Sequence, residues 1–138
     1  MKINEIAKNA NSSALVLAHL SIDLKNRALR SMADTLEDNW NIILAANEKD
    51  LEFAKKEGIA SALIARLELN EEKVRGIAKG IRSVVALPDP VGQVKSVMEM
   101  DQDLLVKQVT CPIGVIGAIF ESRPDAVPQI SSLCLKSG

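Results

Sequence analysis

The feature that most constrains this chain is Pro88-Asp89-Pro90, because the period of the apolar pattern changes there. Proline lacks the amide donor a helix needs, and its ring clashes with the preceding turn. Before this tripeptide, apolar residues recur every three or four positions, as on one helix face. After it they alternate every second position, as along a strand. The chain must therefore be helical first and extended second.

Ile3, Ile6, Ala7, Ala10, Ala14 and Leu17 predict a first helix over 3–17. His19 follows it and reads as a surface or capping residue. Ser21 has the side chain of a good N-cap. Leu24, Ala28, Leu29, Met32, Ala33 and Leu36 then form one stripe of an amphipathic helix. Lys25, Arg27, Arg30, Asp34, Glu37 and Asp38 fall mostly off that stripe, on a solvated face. A shorter helix over 39–46 is expected around Trp40, a core or interface anchor. Asn47 reads as a fresh N-cap, with Asp50 completing a shortened capping box. Leu51, Phe53 and Ala54 are expected to bury, and Gly58 to end the helix. A short helix covers 61–67. Asn70 caps the next, over 71–86, with Glu71 and Glu72 near its positive end. Its buried stripe is Val74, Ile77, Ala78, Ile81, Val84 and Val85, and Gly76 and Gly80 would allow a close helix contact.

Residues 93–110 predict an antiparallel hairpin turning at 101–103 and projecting with little cover. The apolar run 113–120 reads as a parallel strand buried on both faces. A polar turn follows at Glu121, Ser122, Arg123, Pro124 and Asp125. Val127, Ile130, Leu133, Cys134 and Leu135 return to helical spacing, and Gly138 stands where a C-cap glycine would. In open α/β sheets, ligands bind outside the carboxyl ends of strands, which is where this turn lies.

The formal net charge of −1 and the 2% aromatic content argue against a nucleic-acid surface, which needs basic patches or stacking rings. No apolar run approaches the roughly 18 residues of a membrane span. The start of the chain, MKINEIAKNANSS, lacks the apolar core of a secretory signal. Two cysteines make no disulfide framework. A cytoplasmic location is expected. One histidine and two separated cysteines give no zinc spacing. Gly114 and Gly117 make no dinucleotide fingerprint, and Lys136-Ser137 lacks the upstream glycines of a P-loop.

The segment GVIGAIFESRPDAVPQISSLCLKSG resembles the one that marks the glutamate-5-semialdehyde dehydrogenase family, also called γ-glutamyl phosphate reductases, of the aldehyde dehydrogenase superfamily. ESRP after a GVIG strand is its most specific part. AANEKDLEFAKKEG, ARLELNEEKVRGIAKGI and LPDPVGQV agree, in the family's order. The resemblance covers essentially the whole chain and implies the N-terminal third of such an enzyme. The fold it implies is α/β and aldehyde dehydrogenase-like. Residues 1–90 would be the helical part of the cofactor domain and 91–111 a hairpin of the oligomerisation sheet. Residues 112–138 would begin the Rossmann-like cofactor-binding unit.

The activity the resemblance implies is NADPH-dependent reduction of γ-glutamyl phosphate to glutamate 5-semialdehyde, with release of phosphate, in proline biosynthesis. It implies a homo-oligomer when full length, and glutamate 5-kinase as a candidate partner. Aligned on GVIG, the superfamily's oxyanion-stabilising asparagine falls on Arg123, whose guanidinium suits an anionic substrate. An ion pair of Arg123 with Glu121 or Asp125 is the structural alternative. Ile119, Phe120, Glu121 and Ser122 carry over as cofactor-binding residues, mostly through backbone, against plain core packing for the first two. The family often has asparagine at Asp125, so a donor role there is in doubt. Cys111 and Cys134 have apolar neighbours and read as structural. The nucleophilic cysteine is expected beyond Gly138, and the chain alone is expected to be inactive. Another aldehyde dehydrogenase superfamily member, or a non-catalytic helical interaction module, are the alternatives.

Overall fold

A computed structural model describes residues 2–138 and contains six helices and one hairpin among them. The helices are α1 (Ile3–Leu17), α2 (Ile22–Asp38), α3 (Trp40–Lys56), α4 (Ser61–Leu67), α5 (Glu71–Ala86) and α6 (Ala126–Ser137). Strands β1 (Val94–Asp101) and β2 (Leu104–Val109) lie between α5 and α6. The change from helix to strand falls at Pro88-Asp89-Pro90, as the period predicts.

Two caps form as expected. Ser21 Oγ accepts from the Leu24 amide at 3.3 Å, and Asn70 Oδ1 accepts from the Lys73 amide at 2.7 Å. Each satisfies an amide that the first helical turn leaves without a partner. Gly58 ends α3 with a φ of +67°, which lets the Ile59 amide bond to the Ala54 carbonyl and the Gly58 amide to the Lys55 carbonyl. That pair of bonds closes the helix in a Schellman turn.

The core is the seam between α2 and α5. Leu29, Ala33, Ala78 and Ile81 are almost fully buried there, flanked by Met32, Leu36, Ile77, Val84 and Val85. Alanine at two of the four positions lets the helices approach closely. On the rim, Arg82 of α5 donates to Asp34 and Glu37 of α2, both at 2.6 Å. The hydrogen bond from Arg82 is the main cause holding the Glu37 carboxyl below its ordinary pKa.

Asn47 does not cap a helix. Trp40–Lys56 is continuous, and Asn47 lies inside it, buried. Its side chain donates to the Leu67 carbonyl and accepts from the Leu69 amide, each at 2.9 Å. An asparagine that finds tertiary backbone partners need not break a helix to find local ones. Phe53 is 65% exposed rather than buried. Gly76 and Gly80 make no close helix contact: a Cβ at either would meet nothing within 4 Å. α1 forms at the predicted bounds but buries none of its residues.

Helix α6 buries a different face from the one its pattern predicts. Val127 and Leu133 are exposed, while Ala126, Ser132 and Lys136 are buried. The polar ridge docks because its atoms are satisfied. Ser132 Oγ donates to the Gln129 carbonyl at 2.8 Å, and Lys136 Nζ donates to Asn26 Oδ1 at 2.8 Å and the Val85 carbonyl at 3.1 Å. Lys25 was expected in solvent, but it is 1% exposed and faces Asp89 at 3.6 Å. The segment after α5 folds back over it.

The hairpin pairs Val97 with Lys107 and Met98 with Val106, with register shifts between Val94 and Ser96 and between Glu99 and Asp101. It turns at Gln102-Asp103, and every residue on both strands is exposed. The expected strand over 113–120 is absent. The run has no regular structure and is unpaired, and Ile113, Ile119 and Phe120 lie in solvent. A parallel strand exists only as one rung of a sheet, and no described strand pairs with this run.

Two outcomes are expected from this packing. Asn47→Ala should lower unfolding free energy by about 1–3 kcal/mol, because it leaves the Leu67 carbonyl and Leu69 amide without their partner. Denaturant titration measures this, and an unchanged midpoint would show that water replaces the side chain. Lys136 gives a pH signature. Burial holds its pKa below the ordinary 10.5, with nearby Lys25 and Arg30 acting in the same sense and Asp89 opposing them. The folded chain therefore binds this proton less tightly than the unfolded chain. Its contribution is fully present above 10.5 and is lost as pH falls through the lowered folded value. The chain should accordingly gain stability relative to Lys136→Met as pH rises toward 10.5, and equal pH slopes for the two would refute the shift.

Candidate functional site

Arg123 leads into α6 from a tight turn. Ser122, just before it, has a φ of +51°, a left-handed conformation that non-glycine side chains rarely adopt. The Ala126 amide bonds back to the Arg123 carbonyl at 3.0 Å, so the arginine is held against the helix start. Arg123 Nη2 meets Asp125 Oδ2 at 3.2 Å, the ion pair anticipated as its structural alternative. Asp125 also accepts from Gln129 Nε2 at 3.1 Å. The arginine is more than half exposed, so this pair contributes little to stability. It orients the guanidinium and leaves other donors of its fork available.

That guanidinium lines a cleft of about 640 Å³ between α4, α5 and α6. The cleft brings Arg123 together with Arg66, Glu68, Lys73 and Asp125, over an apolar floor that includes Ile77, Ile81 and Leu133. Gly76 and Gly80 lie on its α5 wall. Sequence reasoning missed Arg66 and Lys73, which look like ordinary surface charges along the chain. Only the fold brings them beside Arg123. An apolar groove of about 700 Å³ lies on the other side of the same turn, lined by Met32, Ile43, Val74, Pro124 and Val127 among others. Ile77 is common to both. The two hollows explain why the apolar residues of α6 are exposed: Leu133 lines one and Val127 the other.

Ile119, Phe120, Glu121 and Ser122 line neither hollow. No hydrogen bond among the described residues involves the backbone of 111–122, so its donors and acceptors are open. Cys111 and Cys134 lie together on a third hollow of about 530 Å³, with α1 and Pro112. No charged side chain lines it, so no basic group is at hand to take a thiol proton. Cys111 is exposed, which the sequence did not suggest, and Cys134 is half-buried. The cations therefore line a cleft without a cysteine, and the cysteines line one without cations. No metal-binding cluster of histidine, cysteine or carboxylate occurs among the described residues. No helix there is long and apolar enough to cross a membrane. Alkylation with iodoacetamide should modify Cys111 well before Cys134, read by peptide mass spectrometry, and equal rates would contradict the packing of α6.

No protein-family model matches the chain. Among curated proteins it is 53% identical over 133 residues to the gamma-glutamyl phosphate reductase of Methanosarcina mazei, covering 94% of this chain and 30% of that protein. It is 47% identical over 138 residues to the one from Ruminiclostridium cellulolyticum, covering 100% of this chain and 32% of that protein. Among solved structures, gamma-glutamyl phosphate reductase from Saccharomyces cerevisiae matches with a TM-score of 0.94 at 40% identity, over 99% of this chain and 35% of the other. That from Thermotoga maritima matches with a TM-score of 0.95 at 34% identity, over 99% and 33%. The chain thus spans about a third of the length of the curated relatives it matches.

Proposed function

We propose that this chain, whose curated homologues are gamma-glutamyl phosphate reductases, supplies the substrate-facing cleft of such an enzyme. The reaction is reduction of γ-glutamyl phosphate to glutamate 5-semialdehyde with release of phosphate, a step of proline biosynthesis. The observation that carries this reading is the position of Arg123, beside a cleft with two further cations and no cysteine. A cysteine from outside this chain would attack the acyl carbon, and the carbon–oxygen bond to phosphate would break. Arg123 would then face charge on the departing phosphate or the carbonyl oxygen. A charge-assisted hydrogen bond of this kind contributes about 1.5–3 kcal/mol.

The cofactor of this reading is NADP, whose reduced form would supply the hydride for reduction of the resulting thioester. By themselves residues 119–122 form an open edge rather than a cradle, so this chain's part in holding the cofactor would be backbone contact alone. The domain reading follows the same lines. Residues 1–90 form the helical part, 91–111 a hairpin that joins an oligomerisation sheet, and 112–138 the start of the cofactor-binding unit. The uncovered hairpin and the unpaired run 113–120 support it, since both are edges that need neighbours. A cytoplasmic homo-oligomer, with glutamate 5-kinase as a partner, belongs to the same proposal.

Arg123→Ala in the full-length protein should lower kcat/KM tenfold or more, at about 1.4 kcal/mol per decade of rate. Its melting temperature should change little, because the Asp125 pair is exposed. Unchanged turnover with lost stability would make Arg123 structural. The present chain alone, assayed with glutamate 5-semialdehyde, phosphate and NADP, should give no turnover.

A further inference from the structure

The α4–α5–α6 cleft has two properties that its packing does not explain. The first is its charge. Three cations line it: Arg123 is paired with Asp125 at 3.2 Å. Neither Arg66 nor Lys73 makes an ion pair among the described residues. Lys73 is nevertheless held in place, because its Nζ donates to the Glu68 carbonyl at 2.5 Å across the α4–α5 link. That single bond fixes the ammonium and leaves two of its three donors available.

The second property is the pair of glycines. Gly76 and Gly80 are interior to α5, where glycine is the least favourable residue after proline. Neither has a positive φ, and an added Cβ would meet nothing within 4 Å at either position. No turn or close helix contact requires them. What they do is keep the α5 wall of the cleft bare.

We infer that this cleft is the recognition pocket for the amino-acid end of the substrate. Arg66 and Lys73 hold its carboxylate, Glu68 faces its ammonium group, and Gly76 and Gly80 leave room for its carbon chain. The inference rests on the function proposed above and deepens it. A substrate with an α-amino acid at one end and an acyl phosphate at the other needs cations at both ends and an acid at one. The cleft provides Arg123 from the α6 turn, and Arg66, Lys73 and Glu68 from around the α4–α5 link. Arg66, Lys73 and the two glycines are thereby specificity-determining residues, distinct from the group that meets the phosphate.

The test uses the full-length enzyme, assayed with glutamate 5-semialdehyde, phosphate and NADP. Arg66→Gln and Lys73→Gln should each raise KM for the semialdehyde at least fivefold and change kcat less than twofold. Gly80→Ala and Gly80→Leu should raise the melting temperature, because both improve α5, while KM rises with side-chain size. A merely structural glycine would not give a more stable protein that binds its substrate less well. Wild-type KM in the four variants overturns the inference and leaves the proposed function standing. No phosphate-dependent turnover in the wild type overturns both.

Discussion

Leu29 and Ala33 of α2 meet Ala78 and Ile81 of α5 with almost no solvent access, and α6 packs on both helices of that seam. Apolar burial is the main favourable term in folding, and here it is concentrated in a few residues on two helices. Helix α6 adds to the seam through Leu135 and covers it with Ser132 and Lys136. The position of Arg123 follows from this. The arginine is held by the turn into α6, so whatever fixes α6 on α2 and α5 also fixes the guanidinium.

Two buried lysines and one carboxylate make that attachment unusual. Lys25 and Lys136 are both nearly inaccessible, and Asp89 lies close enough to pair with Lys25. Burying an ammonium is unfavourable unless its donors are satisfied. Lys136 meets that condition with a side-chain oxygen from α2 and a carbonyl from the end of α5. One residue of α6 thereby bonds to both helices of the core. Val85 lies in the last turn of α5, whose final carbonyls have no partner within their own helix, and a cation suits that end.

The rest of the chain lacks such support. The hairpin exposes both faces, and the run 113–120 exposes apolar side chains together with unpaired backbone. Long uncovered edges of this kind invite pairing with another strand. The solved structures that match this backbone belong to chains about three times as long. An edge that is open in 138 residues is consistent with neighbours drawn from a longer protein.

Local rules were enough to read much of this from the residues. Ser21, Asn70 and Gly58 mark their helix ends because a cap depends only on the neighbouring backbone. The hairpin was legible because alternation and its turn are contiguous in the chain. ESRP pointed to the family, and the homologues agree. What the residues could not reveal depends on distant partners. Asn47 looks like a cap until the Leu67 carbonyl and Leu69 amide are placed beside it. Lys25 looks solvated until Asp89 is placed beside it, and nothing local marks Lys136 as buried until Asn26 and Val85 are placed around it. The apolar pattern at 113–120 states that a strand is possible, but a strand needs another strand, and its absence was decided by tertiary structure. The same is true of the cleft. Arg66, Lys73 and Arg123 are separated by up to 57 positions in the chain, and only the packing of α4, α5 and α6 brings their charges around one space.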